Sequence, residues 1–236
     1  MTDKEIKKEK NKKVNNVVIT EKEMNSQIDL YNIKQDILKV MINKAVNNKL
    51  TKEDNKKILK FIERKLFTVN TGHATTAYVG KYEGYKTIDE ALKDEKVKQQ
   101  VEAVLAETGA LMIEKWQFDA EEHKAYITKI LSRFVNPYIS DDIARVARTP
   151  MRKLGYDERF IRPIREANER GLETEHLIQT VAKALMYRDV NDEESQQMEK
   201  LLTNQSVEAV IREVTQLKDE ALIRKIASEY AALSNE

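Results

Sequence analysis

Residues 65–73, Lys65-Leu-Phe-Thr-Val-Asn70-Thr-Gly-His73, carry three polar side chains at a spacing that suits one face of a helix. At about 100° per residue, Asn70 lies about 140° and His73 about 80° round a helix from Lys65. A basic amine and two hydrogen-bonding groups would then share one side of the helix. The spacing therefore predicts a helix that points a base and two polar groups into one cleft.

The composition predicts an all-α protein. Of 236 residues, six are glycine and three are proline, while 34% are charged and 6% are aromatic. So few helix breakers among so many charged residues favour helices over strands. The length allows one or two domains and a sizeable core.

The net charge and the residue types exclude several classes of function. A formal net charge of +1 gives no global reason to expect a nucleic acid or an anionic membrane as partner. Cysteine is absent, which excludes disulfides, thiolate catalysis and cysteine metal sites and fits a reducing compartment. No stretch approaches the roughly 18 apolar residues of a membrane span, and the N-terminus is charged where a signal peptide is apolar. We expect a cytoplasmic protein.

The first 60 residues differ in composition from the rest. They contain fifteen lysines and nine asparagines but no arginine, glycine or proline. Residues 1–16 have almost no apolar side chains, so we expect a disordered lysine-rich tail there. A nucleic-acid arm is the alternative, and the lack of interleaved aromatic residues disfavours it.

Residues 17–60 predict a short helical segment. Apolar residues from Ile28 to Val46 recur at a helical period, and Thr51-x-x-Asp54 forms a capping box before a second helix. The words Thr20-Glu-Lys-Glu, Ile37-Leu-Lys and Leu50-Thr-Lys-Glu resemble a small helical interaction module of the SHOCT-like kind.

The Lys-x-x-x-x-Asn-x-x-His spacing resembles the signature of the polyol-specific long-chain dehydrogenases. The residues from Arg64 to Tyr78 resemble in particular the mannitol-1-phosphate 5-dehydrogenases, and the resemblance runs from Phe61 to the end of the chain. It implies a multi-helix mannitol dehydrogenase C-terminal domain over residues 61–236. It also implies interconversion of mannitol 1-phosphate and fructose 6-phosphate with NAD, with Lys65 as the base and Asn70 and His73 hydrogen-bonded to the reacting oxygen.

The glycines do not fit the cofactor half of that family. A dinucleotide fingerprint needs Gly-x-Gly-x-x-Gly where a strand opens into a helix, yet the first glycine here is Gly72 and none of the six has that spacing. We therefore expect no Rossmann domain, no NAD bound by this chain alone, and no metal. The chain would be truncated, fused, or one part of a split enzyme with a separate NAD-binding polypeptide.

A second stretch predicts contacts with a sugar or polyol phosphate. Four cations fall within nine residues, and guanidinium groups meet phosphate oxygens with paired hydrogen bonds. The candidate substrate-binding residues are Asn136, Arg145, Arg148, Arg152 and Lys153. Pro150 interrupts any single helix here, so we expect one or two of the cations to pair with Asp141, Asp142 or Asp157 instead.

Local capping signals predict the remaining helices. Thr87 opens a helix that runs through Leu111, Asp119 opens one that stops before Asn136-Pro137, and Asp157 begins one that ends at Gly171. Thr174, Ser206 and Asp219 cap three more, Trp116 and Phe118 pack at a helix end, and His123 and His176 have structural or solvent-facing roles.

Each member of the Lys65, Asn70 and His73 group also has an ordinary structural reading: a surface lysine, a turn asparagine next to glycine, and a packed histidine. The alternative function is therefore a helical interaction protein or sugar-phosphate sensor built on a dehydrogenase remnant. Retention of all three residues favours the enzymatic interpretation, because a scaffold has no need of them.

Overall fold

The computed structural model describes residues 51–136 and 141–235. The chain divides into two compact units, Met1–Ile58 and Leu59–Glu236. The predicted tail and most of the predicted SHOCT-like segment lie outside the described residues and stay predictions. The capping box at Thr51 is confirmed, because Asp54 accepts from the Thr51 N–H (3.1 Å) and the Thr51 hydroxyl accepts from the Asp54 N–H (3.2 Å).

The described residues form helices and no strands, which confirms the all-α class. In chain order they are α1 (Lys52–Arg64), a π-turn (Lys65–Asn70), α2 (Thr71–Tyr82), α3 (Ile88–Ala91), α4 (Glu95–Trp116), α5 (Ala120–Phe134), α6 (Ile143–Ala147), α7 (Pro150–Lys153), α8 (Ile161–Asn168), α9 (Glu175–Leu185), α10 (Glu193–Asn204), α11 (Val207–Thr215) and α12 (Glu220–Ser234). An isolated antiparallel bridge joins Thr87 to Asp142. Within these two ranges, no helix combines the length and apolar character needed to cross a bilayer.

Most of the predicted caps open a helix. The side chains of Thr87, Asp119, Ser206 and Asp219 each accept a hydrogen bond from a backbone N–H in the first turn of α3, α5, α11 and α12. α5 ends at Phe134, before Asn136, as predicted. The helix expected from Thr87 through Leu111 is instead two helices, because Asp94 caps a new start by accepting from Lys96 (2.8 Å) and Val97 (3.1 Å).

One predicted helix start and one predicted cap are wrong. α8 begins at Ile161 rather than near Asp157, whose carboxylate pairs with Arg165 at 3.1 Å. Thr174 does precede α9 but makes no side-chain cap. The buried carboxylate of Glu107 in α4 caps α9 instead, because it accepts hydrogen bonds from the N–H groups of His176 and Leu177 at 2.8 Å each. A cap supplied from another helix leaves no local sequence signal.

Helix α2 lies in the middle of the main core. It packs against α4, α6 and α9, while α9 packs against α12. The approach is close at Gly80, where an added Cβ would lie 2.7 Å from the Cβ of Ala91 and 2.9 Å from Cδ1 of Ile143. Since real Cβ atoms do not approach so closely, any larger residue here would push α2 away from α3 and α6.

A second, smaller core forms where α1 and the π-turn meet the end of α4. Its buried members are Phe67, Leu111, Met112 and Phe118, with Phe61, Leu66, Trp116 and Leu172 packed around them. The predicted packing of Trp116 and Phe118 at a helix end is confirmed.

Beside this core, Arg64 and His123 are buried among aromatic rings. The Arg64 guanidinium carbon lies 3.9 Å from the ring centre of Tyr126 and 4.8 Å from that of Phe118. His123 is 1% exposed and stacks near Phe118 and Tyr126, and neither of its ring nitrogens has a hydrogen-bond partner among the residues that the structure describes. Burial, followed by the charge of Arg64, lowers the pKa of His123 to about 4. The structural role predicted for this histidine is the one the packing shows.

The buried carboxylate of Glu63 ties α1 to α4 and α8. It is 0% exposed, accepts from Lys115 Nζ and Trp116 Nε1 at 2.7 Å each, and forms an ion pair with Arg162. Glu166 completes the group by pairing with the same two cations. The network fixes the position of α1 one residue before Arg64 and two before Lys65.

Glu63→Ala should lower the free energy of unfolding by about 1–3 kcal/mol, because the Trp116 N–H loses its buried acceptor and the two cations keep only Glu166 as partner. Urea unfolding at pH 7, followed by circular dichroism, measures the loss. Glu114→Ala, at an exposed carboxylate on α4, is the matched control and should change stability by less than about 0.5 kcal/mol. A loss below about 1 kcal/mol for Glu63→Ala would show that the network does not anchor α1.

His123 should make the fold sensitive to acid. Its folded pKa of about 4 lies below the usual 6.5, so the unfolded chain binds the proton first. Stability is therefore lost as pH falls below about 6.5, by about 2 kcal/mol between pH 7.5 and pH 5. Urea unfolding across that range should show a smaller pH dependence for His123→Leu. Ile130→Val, a core truncation that keeps His123, should lower stability without changing the slope; an unchanged slope in His123→Leu would refute the assignment.

Candidate active site

The π-turn at Lys65–Asn70 is a short π-helix, whereas the angles predicted from the sequence assume an α-helix. Its backbone bonds join residues five apart, as in the N–H of Thr71 donating to the carbonyl of Leu66. Residues five apart are thus about one turn apart, which brings Asn70 onto the same face as Lys65 rather than about 140° away. His73 follows three residues later in α2, where offsets of three are surface neighbours. The backbone geometry therefore predicts that the three side chains form one row.

Burial distinguishes this row from the opposite face. Phe67, Thr68 and Thr71 are buried, whereas Lys65 is exposed and Asn70 and His73 are half-buried. We call Lys65, Asn70 and His73 the catalytic row, after the role that the sequence predicts for them. The single extra residue that a π-turn accommodates lets the helix keep a continuous buried face on both sides of the turn.

The C-terminal end of the π-turn is held from two sides. The Thr71 hydroxyl lies 3.0 Å from the Leu66 carbonyl and 2.8 Å from the Arg159 carbonyl, so it ties the turn to the loop before α8. A Cβ at Gly72 would lie 3.1 Å from Cδ2 of Leu105, so the small residue allows α2 to start directly on α4. These contacts explain why threonine and glycine occupy positions 71 and 72.

His73 sits between an aromatic ring and a carboxylate. Its ring stacks on Phe134 of α5, with centroids 4.8 Å apart and planes 17° from parallel. Its Nε2 lies 3.2 Å from an oxygen of Asp141. Burial lowers the pKa of His73, Asp141 raises it, and Arg145, Arg133 and Arg159 lower it further. The neutral imidazole is therefore favoured at pH 7.

The predicted phosphate-binding cations occupy two places, one beside His73 and one around Thr149. Arg145 pairs with Asp141 and so joins the surroundings of His73, which confirms that one of the cations pairs with a predicted acid. Arg152 pairs with Glu158 at 3.4 Å, and its N–H donates to Glu194 of α10 at 2.9 Å. Arg148 is exposed at the end of α6. Asn136 is half-buried just beyond α5, and its N–H donates to the Arg133 carbonyl.

Lys153 is the most perturbed of these cations. It is 4% exposed, and its Nζ donates to the Arg148 carbonyl. Burial, and then the charges of Arg159 and Arg152, lower its pKa to about 8. A buried amine that titrates near neutral pH is typical of functional sites.

The corner that holds Lys153 is strained. Thr149, between α6 and α7, has φ +55°, a left-handed conformation that a β-branched residue rarely adopts. Its N–H donates to an Asp192 oxygen at 2.6 Å, and its hydroxyl lies 3.4 Å from Lys153 Nζ. Contacts from α10 thus maintain a backbone shape that aims the carbonyl of Arg148 at the lysine.

Sequence reasoning missed four contributors to the surroundings of His73. The sequence predicts Asp141 only as an ion-pair partner for a cation, and it assigns no site role to Phe134, Arg133 or Arg159. The signal that could have found Arg133 is its place three residues before the candidate Asn136. Arg159 comes from a distant loop and could not be placed from local pattern. Within residues 51–136 and 141–235, no group of three or more histidines and carboxylates suits a metal ion.

Comparison with known proteins identifies the domain. The family model described as the mannitol dehydrogenase C-terminal domain matches residues 57–234. Mannitol-1-phosphate 5-dehydrogenase from Streptococcus mutans is 60% identical over 73% of this chain and 45% of its own length, and that from Lactiplantibacillus plantarum is 58% identical over 72% and 44%. The chain thus spans about half the length of the curated relatives that it matches.

Two solved structures share the fold. D-sorbitol dehydrogenase in substrate-free form has a TM-score of 0.61 over 75% of this chain and 39% of its own. Pseudomonas fluorescens mannitol 2-dehydrogenase, solved as a ternary complex with NAD and D-mannitol, has a TM-score of 0.53 over 75% and 38%. At 19% sequence identity, both show likeness of fold alone.

Proposed function

The chain belongs to the mannitol dehydrogenase C-terminal domain family, and from that premise we propose that it is the catalytic and substrate-binding part of an NAD-dependent mannitol-1-phosphate 5-dehydrogenase. Such an enzyme interconverts mannitol 1-phosphate and fructose 6-phosphate. The observation that carries the proposal is the catalytic row, in which Lys65, Asn70 and His73 share one accessible face through the π-turn. The identity of 55–60% to curated enzymes with that activity supports it.

Each member of the row has a role that its chemistry allows. Lys65, as a neutral amine, takes the proton of the secondary alcohol during oxidation. The amide of Asn70 donates a hydrogen bond to the same oxygen and stabilises the negative charge that develops there. The resemblance assigns His73 to the same oxygen. Its lowered pKa and its contact with Asp141 favour instead a neutral imidazole that binds the substrate next to that centre. Burial or a nearby cation lowers the pKa of a catalytic lysine. The guanidinium of the adjacent Arg64 lies in the aromatic cluster, 3.9 Å from the ring centre of Tyr126.

The glycines of the described residues do not suit a dinucleotide. Gly72 and Gly80 are packed against neighbouring helices, and Gly84 and Gly171 have positive φ in the turns that follow α2 and α8. None of them forms a glycine-rich turn between a strand and a helix in the described residues. The proposal therefore includes a separate NAD-binding polypeptide that supplies the hydride acceptor, and this chain alone is inactive.

The surface beside Lys65 suits such a partner. Ile62, one turn before Lys65, is 48% exposed, and Leu59, one turn earlier again, is 42% exposed. Large apolar side chains exposed next to a catalytic residue are typical of a surface that another protein covers. Covering it would also remove Lys65 from water, and burial lowers the pKa of an amine.

The cations supply the phosphate site. Besides burial, Arg145 lowers the pKa of His73, and Arg152 lowers the pKa of Lys153. Arg148 and Arg152 flank the strained corner at Thr149. We propose that a substrate phosphate meets this cationic corner while the polyol chain extends toward the catalytic row. A phosphate there would also compensate the buried charge of Lys153.

A chimaera tests the function directly. Replacing residues 1–58, the first compact unit, by the NAD-binding half of a related mannitol-1-phosphate 5-dehydrogenase keeps Glu63 and its network. The chimaera should oxidise mannitol 1-phosphate with NAD, whereas the unmodified chain should show neither turnover nor NADH binding by fluorescence titration. Lys65→Ala in the chimaera should lower kcat by roughly a hundredfold or more.

Lys81→Ala, at an exposed lysine near the end of α2, is the matched control and should leave kcat unchanged. A chimaera that folds and binds NAD but has no activity, or one that tolerates Lys65→Ala, would contradict the catalytic assignment. Mannitol 1-phosphate binding by the unmodified chain, without turnover in the chimaera, would favour a sugar-phosphate sensor.

Substrate preference in the chimaera tests the phosphate site. Arg148→Ala and Arg152→Ala should raise KM for mannitol 1-phosphate with little effect on kcat, because phosphate contacts persist throughout the reaction. Neither substitution should alter KM for unphosphorylated mannitol. Arg212→Ala, at an exposed ion pair with Glu220 far along the chain, serves as control. Equal effects on both substrates would place the phosphate elsewhere.

A further inference from the structure

Asp141 occupies a position that the proposed reaction does not yet explain. One of its carboxylate oxygens lies 3.2 Å from Nε2 of His73, and the other pairs with Arg145. The carboxylate is 27% exposed and the imidazole 26%, so water screens this contact only in part. Asp141 thus holds the imidazole from one edge while Phe134 holds its face.

Three elements place charges around the same imidazole. Arg133 comes from α5, Asp141 and Arg145 from the start of α6 and the residues before it, and Arg159 from the loop before α8. Asp141 is the acid among them and the only one of these groups that favours the protonated ring. In the absence of its charge, three cations would act on His73 unopposed.

We infer that Asp141 is a positioning residue, which accepts a hydrogen bond from Nε2–H of His73 and so fixes that tautomer. In a neutral imidazole, one nitrogen carries the proton and the other accepts. With Nε2–H directed to Asp141, Nδ1 is left as the acceptor. This inference rests on the proposed function of the catalytic row and refines it.

The consequence is a division of labour within the catalytic row. A neutral His73 with a free Nδ1 lone pair recognises a hydroxyl group by accepting its hydrogen bond, and cannot donate to a developing oxyanion. Donation to that oxyanion is then left to the Asn70 amide, and the proton of the reacting hydroxyl goes to Lys65. A polyol offers neighbouring hydroxyl groups that suit His73, so this residue selects for a hydroxyl next to the reacting carbon.

Nitrogen-15 NMR of the imidazole rings tests the inference on this chain itself. The sequence has three histidines, so the ring signals can be assigned with single substitutions. Above its pKa, His73 should show the Nε2–H tautomer. Asp141→Asn should keep that tautomer, because the amide oxygen still accepts, but should lower the pKa of His73. Asp141→Ala should lower the pKa and also remove the tautomer preference.

Asp142→Asn is the matched control, since Asp142 is exposed and its side chain makes no hydrogen bond to the first turn of α6. It should leave the tautomer and the pKa of His73 unchanged. Arg145→Gln should move the pKa of His73 upward, because it removes a repelling cation and a competitor for the carboxylate. If Asp141→Ala does not fold, the wild-type tautomer and Asp141→Asn decide the question.

An Nδ1–H tautomer in the wild-type chain, or an unchanged pKa of His73 in Asp141→Asn, would overturn the inference. Neither readout needs activity or a cofactor. A failed chimaera would therefore leave this inference standing, and an Nδ1–H tautomer would leave the proposed dehydrogenase function standing.

Discussion

The π-turn at Lys65–Asn70 is the constraint on which the site depends. It must join two helices whose buried faces are already fixed. On one side, Glu63 is held by Lys115, Trp116 and Arg162. On the other, Thr71 and Gly72 hold the start of α2 against the loop before α8 and against α4. Six residues in π geometry satisfy both ends and turn Lys65 and Asn70 to the same side. Such turns are rare and occur frequently at functional sites.

Much of the fold follows from local chemistry that a sequence displays. Short polar caps at Thr87, Asp119, Ser206 and Asp219 open helices where predicted, because the side chain and the N–H groups that it binds lie within three residues. The expectation failed where the partner is distant. Glu107 caps α9 from across the core, and Asp157 pairs with Arg165 instead of opening α8.

The sequence names candidate residues for the site but does not give their geometry. The motif named Lys65, Asn70 and His73, yet nothing in the residue types distinguishes a π-turn from an α-helix. The direction of Arg64 depends on where Phe118 and Tyr126 lie, and the contact of Asp141 with His73 depends on how α5 and α6 meet α2. The Thr149 corner, with its left-handed backbone and its desolvated lysine, is a local arrangement maintained at a cost in stability. Costs of this kind are typical of residues retained for function.

The alignment produced by the π-turn can be measured with paired histidines that chelate a metal. In a His73→Gln background, Lys65→His/Asn70→His should bind Zn²⁺ more tightly than Lys65→His alone, by roughly tenfold or more, because two ligands bind together only if they share a face. In an α-helix, residues five apart are not neighbours, so the second histidine would add little affinity. Calorimetric Zn²⁺ titration of the two variants distinguishes these geometries. Tighter binding by the 65/70 pair is the result that the π-turn predicts, and equal binding by the pair and by the single variant would contradict it.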